Sequence, residues 1–257
     1  MTNTPRLSSK PLSQERLKLI ACISMLLDHI GATVVLQQCY TLIYSGADAR
    51  WMIELYDALR IVGRLAFPIY CFLLAEGAHY TRSPGKYALR LCLAAVISEI
   101  PFDLAFYGGL TWEHQNVMVT LLIGLLALWA MQKIPHFLLK LPVLFLFAVL
   151  AELAQSDYGG DGVLVMGLFA LTREVPRKRL LQFLGLWFLF SPGNRMALNW
   201  LDGFSLSVQE YGVLALIPIS LYSGEKASRN KGLKLAFYLF YPVHMALLWI
   251  VMEVIYG

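Results

Sequence analysis

Long apolar runs separated by short polar breaks fill the chain from Leu17 almost to its end. This pattern predicts nine helices, over 17–37, 59–79, 87–107, 116–132, 137–154, 161–173, 180–194, 208–223 and 235–255. Most approach the roughly 20 residues that carry a helix across a bilayer. The sixth and seventh are short and glycine-rich, so a tilted or re-entrant path is an alternative there. Residues 1–16 are polar and hold Pro5 and Pro11, which reads as a disordered cytoplasmic segment. The first apolar run lacks a small-residue cleavage pattern and is expected to persist as an anchor, making 17–257 one integral membrane domain.

Composition agrees with this all-α, polytopic reading. The 257 residues are 58% hydrophobic and only 15% charged, with a mean hydropathy of +0.60, far from an ordinary soluble domain. Lys and Arg gather in cytoplasmic loops of membrane proteins, and alternate breaks here behave that way. Seventeen of the 21 basic residues, among them Arg6, Lys10, Arg16, Lys18, Arg82, Lys86, Arg90, Lys133, Lys140, Arg173–Arg179, Lys226, Arg229, Lys231 and Lys234, fall on one side. Arg50 and Arg195 fall on or beside the other. The expected topology has the amino terminus inside and the carboxyl terminus outside. The net charge of +4 then reflects orientation and calls for no nucleic acid. The four cysteines, Cys22, Cys39, Cys71 and Cys92, have no C-x-x-C spacing and are expected to be small buried side chains.

Ionisable residues inside the apolar runs are the candidates for function, since a charge at mid-membrane costs about 2.5–3.5 kcal/mol on insertion scales. Asp28 and His29 sit together in "MLLDHIG", and His244 in "FYPVH". At 1.5 Å per residue the two histidines lie roughly 18 and 15 Å from the inner ends of their helices, near the midplane. Neighbours on a helix point about 100° apart, so Asp28 and His29 cannot form a dyad with each other. Arg60 with Arg64, and Glu99 with Asp103, are i, i+4 pairs at similar depth. They either neutralise one another across a helix interface or face a shared polar site. Pro68, Pro101 and Pro242 accompany these residues and favour kinks beside a polar cavity.

The blocks "LLDHIG" (26–31), "GRLAFPIYCFLLAEG" (63–77), "SEIPFDLAF" (98–106), "QNVMVTLLIG" (115–124), "YGVLALIPI" (211–219) and "FYPVH" (240–244) run in order through most of the chain. Jointly they resemble the TraX family, bacterial inner-membrane proteins named for a conjugative-plasmid member that acetylates the amino terminus of pilin. The resemblance implies acetyl transfer from acetyl-CoA to an amine or hydroxyl acceptor, and a distant likeness to membrane acyltransferases that modify extracytoplasmic sugars.

That chemistry needs a base and donors for an oxyanion. His29 and His244 are the candidate bases, because imidazole titrates near neutral pH; one of them briefly carrying the acetyl group is an alternative. Asp28 is the candidate to orient an imidazole on another helix. Arg64 and Asn116 are candidates for polarising the thioester or holding the acceptor, with Glu99 and Asp103 beside them. Arg82, Lys86 and Arg90, or the cluster Arg173–Arg179, would attract the phosphates of the cosubstrate. Glu76 and His79 read as boundary residues. No P-loop, G-x-G-x-x-G or metal-ligand spacing occurs, so no metal is expected. Acidic residues of the outer breaks, Asp48, Asp57, Glu113, Asp157, Asp161, Asp202 and Glu210, would draw in a cationic acceptor. The rival reading is a proton-coupled transporter, and a third is an assembly scaffold held by buried ion pairs.

Overall fold

In the computed structural model the described residues are 11–191, 207–225 and 230–257. Arg6, Lys10, Arg195, Asp202, Lys226 and Arg229 lie outside them. The described chain is all-helical, with two isolated β-bridges as its only extended pairing. Its helices are α1 (Gln14–Tyr44), α2 (Arg50–Tyr80), α3 (Pro84–Tyr107), α4 (Val117–Gln132), α5 (Phe137–Leu153), α6 (Gly159–Leu171), α7 (Lys178–Phe190), α8 (Val208–Ser220) and α9 (Lys231–Tyr256). Each apolar run therefore carries a helix. Three of them, α1, α2 and α9 from Gly232, are long and apolar enough to cross a membrane. With large apolar side chains exposed along α3, α5 and α9, such as Val96, Ile97, Leu146 and Val254, the architecture is that of a membrane helical bundle.

The boundaries depart from the sequence expectation in informative ways. Ser13 caps α1, accepting from the Arg16 N–H, so helix starts at Gln14, within the segment expected to be disordered. The same stretch is tied to the far end of α8, since Leu12 exchanges backbone hydrogen bonds with Leu221 and Ser223. A five-residue π turn, Gly31–Val35, interrupts α1 just after His29. Such turns locally widen the helix and collect at functional sites. α2 breaks at Arg64 and Leu65, because Pro68 has no N–H to return to the Arg64 carbonyl. Pro101 and Pro242 are accommodated inside continuous helices. α8 is a 3₁₀ helix, Val208–Ala215, followed by five α-helical residues. At 13 residues each, α6 and α7 are about 20 Å long, short of the ~30 Å hydrocarbon core.

The core contains Leu17, Ile69, Leu125, Met166, Leu186, Ile219, Tyr241 and Met245, which solvent scarcely touches. α9 lies in parallel beside α1: Lys18 sits over the Phe237 ring, and the Tyr256 hydroxyl reaches Val34 and Gln38. Chain breaks gather at two ends. At one, Arg173 bonds Glu76 and Tyr80, Gln132 bonds the Ala78 carbonyl, and Arg179 bonds the Ile219 carbonyl. At the other, Gln115 and Ser156 are bridged. Cys22, Cys39 and Cys71 are buried free thiols, whereas Cys92 is exposed on the outer face of α3.

Asn116 fixes the start of α4. Its Oδ1 accepts from the Met118 N–H at 2.9 Å, and its Nδ2 donates to the Ala95 carbonyl at 2.9 Å and to the Glu99 carboxylate. Loss of an N-cap costs about 1 kcal/mol and loss of a hydrogen bond to a charged group about 1.5–3. Asn116→Ala should therefore destabilise the purified protein by about 2–4 kcal/mol in detergent unfolding. Stability equal to wild type would mean that something else holds this helix start.

Candidate functional site

A cavity of about 660 Å³ opens among α1, α2, α3, α4 and the turns that precede α6 and α8. Asp28, His29, Arg60 and Arg64 line it, together with Phe67, Tyr70, Phe106, His114, Asp157, Tyr158 and Gln209. Two polar assemblies meet on its wall.

The first is an ion cluster. Asp28 is 8% exposed, and each carboxylate oxygen takes one guanidinium. Oδ2 accepts from Nη1 of Arg60 at 2.8 Å, and Oδ1 accepts from Nη2 of Arg64. Gly63 makes this approach possible: a Cβ at that position would overlap the Asp28 carboxylate, so α2 can press its backbone onto α1 only with glycine there. Arg64 is saturated further. Its Nη1 donates to the Tyr158 hydroxyl at 3.0 Å and to Oε1 of Gln209 at 2.9 Å, and its Nε donates to the Arg60 carbonyl at 3.3 Å. Tyr158 holds a positive φ of 64°, which costs a non-glycine residue on the order of 1 kcal/mol or more. Stacking on Phe67, with centroids 3.6 Å apart, and the bond from Arg64 keep it there.

The second is an imidazole pair. Nδ1 of His29 lies 2.7 Å from Nε2 of His244, and Nδ1 of His244 lies 2.7 Å from the Phe240 carbonyl. A carbonyl can only accept, so in the neutral pair His244 carries its proton on Nδ1 and offers the Nε2 lone pair to the Nδ1–H of His29. Nε2 of His29 is then an unprotonated nitrogen, on a residue that lines the cavity. Phe106 and Tyr241 pack edge-on against the His29 ring.

The structure places the sequence-derived candidates unequally. His29, Asp28 and Arg64 line the cavity, and His244 stands behind His29. Asp28 orients no imidazole, because both its oxygens belong to arginines. Nor do the arginines pair with Glu99 and Asp103. Those carboxylates and Asn116 form a separate polar group outside the cavity lining. There Asp103 accepts from the Thr111 N–H at 3.0 Å, and Glu99 Oε1 and Asp103 Oδ1 are buried without a partner among the described residues. Arg82 and Lys86 are exposed near the end where Arg173 meets Glu76. Arg90 lies against Tyr87 and Tyr238, with Nε 3.3 Å from the Tyr238 hydroxyl. A smaller cavity of about 150 Å³ at this end is lined by His79, Lys140 and Arg173. Among the described residues no three His, Cys, Asp or Glu side chains converge as metal ligands.

Sequence pattern alone does not mark His114, Tyr158 and Gln209 as chemistry, since each sits at a helix boundary with no periodic signal. Asp157 enters the site from the α5–α6 turn. Burial raises its carboxyl above the usual range, partly offset by His114 and Arg64.

Fold and cavity together define a helical membrane protein with a buried ion cluster and an imidazole pair meeting at one chamber. The TraX protein family matches residues 13–252, and the chain belongs to that family. It is 33% identical over 249 residues to a protein of Dichelobacter nodosus named "Probable fimbrial assembly protein FimC, serogroup H1", covering 91% of this chain and 93% of that protein. No solved structure matches the chain.

Removing one member of a buried ion cluster leaves the others uncompensated, at a cost of about 3–5 kcal/mol. Asp28→Asn should lose stability on that scale in detergent unfolding, well beyond Asp48→Asn, whose carboxylate pairs with Arg50 in solvent. Equal losses in the two variants would mean that the cluster does not hold α1 against α2.

Proposed function

We propose that the chain is a multi-pass inner-membrane acetyltransferase, taking its acetyl group from acetyl-CoA and delivering it to an amine or hydroxyl on a fimbrial or pilin-type acceptor or a small molecule. The observation that carries this reading is the hydrogen-bonded order Phe240 carbonyl, His244, His29. It holds an imidazole in the tautomer of a base, on the wall of a chamber large enough for a reacting group. Membership of the TraX family and the fimbrial name of the Dichelobacter relative support the setting.

In this reaction Nε2 of His29 takes the proton of the acceptor's amine or hydroxyl as that group attacks the thioester carbonyl. The resulting oxyanion collapses, the carbon–sulfur bond breaks, and the imidazolium returns its proton to the departing thiolate. The products are the acetylated acceptor and free CoA. His244 acts as a positioning residue: its bond to His29 Nδ1 fixes both tautomer and ring. The basic end of the bundle, with Arg82, Lys86, Arg90 and Arg173–Arg179, faces the cytosol in this reading and meets the phosphates of the cosubstrate. The Asp157 side chain lies at the acceptor side.

The test is purified protein given radiolabelled acetyl-CoA with a panel of amino-terminal peptides, amines and sugars. Wild type should form labelled product. His29→Ala should lower turnover about 10²–10⁴-fold, and His244→Ala should lower it less, with little change in KM for acetyl-CoA. Full turnover in His29→Ala would remove the base. Proton-coupled solute uptake by sealed vesicles without acetyl-CoA, and no labelled product, would replace the enzyme with a transporter.

A further inference from the structure

The two arginines of the ion cluster are not equivalent. Arg64 commits Nε, Nη1 and Nη2 to Arg60, Tyr158, Gln209 and Asp28, and its side chain is 9% exposed. Arg60 donates a hydrogen bond from Nη1 alone, to Asp28; its guanidinium lies 6.0 Å from the Tyr56 ring centroid, and its side chain is 22% exposed on the cavity wall. Its Nε and Nη2 have no hydrogen-bond partner among the described residues. Gly31, at the start of the π turn, faces Leu59 and the Arg60 stem: a Cβ there would crowd the Leu59 Cβ at 3.1 Å and stand in ordinary contact, 3.5 Å, with the Arg60 Cδ. The Arg60 side chain thus meets α1 at Asp28 and Gly31, and Arg60 and His29 line the same cavity. Within the cluster one carboxylate meets two guanidiniums, while Glu152, Asp157 and Asp161 line the same cavity.

We infer that Arg60 is the catalytic residue that receives the oxyanion of acyl transfer, while Asp28 and Arg64 are positioning residues that aim it. The inference rests on the acetyltransferase reading and assigns the donor that reading requires. As the acceptor attacks, the thioester carbonyl oxygen becomes an alkoxide, and the free N–H groups of Arg60 donate to it. When the carbon–sulfur bond breaks, the carbonyl re-forms and those donors are released. No proton leaves Arg60 in the cycle. Arg64, which the sequence favours for this role, has its nitrogens occupied by structural bonds.

Methylphosphonate, a stable tetrahedral anion close in size to the acetyl adduct, probes the donor without turnover. Full-length protein in detergent should show a rise in Tm with millimolar methylphosphonate. The rise should vanish in Arg60→Gln, shrink in Arg60→Lys, and persist in the control Arg50→Gln, whose guanidinium pairs with Asp48 at the surface. In the acetyl-CoA assay Arg60→Gln should lower kcat about 10²–10³-fold with KM changed only severalfold. Arg60→Lys, which keeps the charge facing Asp28, guards against misfolding and should fall between. An equal Tm rise in Arg60→Gln, no rise in wild type, or a His29-dependent kcat that survives Arg60→Gln would overturn the assignment while leaving an enzyme in place. Failure of wild type to transfer acetyl would sink the enzyme reading, and the methylphosphonate result would still decide whether Arg60 binds an anion.

Discussion

Asp28 is the pivot of this molecule. A carboxylate halfway along a 31-residue apolar helix is tolerable only if its charge is met, and the groups that meet it, Arg60 and Arg64, are equally costly alone. Each residue therefore obliges the others. Because the arginines stand one turn apart on α2, satisfying both with one carboxylate fixes the rotation, depth and separation of α1 against α2. Gly63 between them sets how near the backbones come. Few apolar contacts specify register so narrowly, since leucine packed on leucine costs little to slide.

That register has consequences outward. Asp28 faces α2, so the next residue, about 100° around the helix, must face elsewhere, and His29 turns to α9, where His244 waits. Arg64 carries the constraint to the other side, through Tyr158 at the start of α6 and Gln209 at the start of α8. These helices begin at the level of Arg64, roughly mid-depth along α2, and the chamber is the space where short helices start against long ones. A positive φ at Tyr158 is the local cost of making that junction.

Much of this is legible in the sequence. Runs of bilayer length announce helices whatever their partners, and all nine apolar segments carry one. Counting residues to the midplane places His29 and His244 at one depth, and they touch across 215 positions of sequence. Depth, however, says nothing about azimuth. Arg60, Arg64, Glu99 and Asp103 share a depth, yet α1 comes between as the arginines' partner and Asn116 claims Glu99. Only packing decides which side chains of one layer meet. The boundary residues are less legible still: Tyr158, Gln209 and His114 belong to turns and a 3₁₀ start, where neither the 3.6-residue period nor composition marks a role. The extension of α1 to Tyr44 and of α2 back to Arg50 is hidden for a related reason, because polar residues such as Gln37, Gln38, Glu54 and Asp57 interrupt hydropathy without interrupting helix.

Between an enzyme and a scaffold, the manner in which the polar groups are filled is the discriminating fact. Glue should be saturated, since every unmet donor buried in a bundle is a cost without return. Arg64 fits that description, as does Asn116. Arg60 and His29 do not: each gives one atom to a structural bond, and on the wall of the same chamber their other nitrogens have no hydrogen-bond partner among the described residues. An imidazole and a guanidinium on the wall of one chamber, each held by a neighbour and each with hydrogen-bonding positions that no described residue fills, form an arrangement that a bound molecule can complete. Those positions are one lone pair and a set of N–H donors, which in the acetyltransferase proposed above would take an acceptor's proton and meet the negative oxygen that forms on the thioester carbonyl as the acceptor attacks.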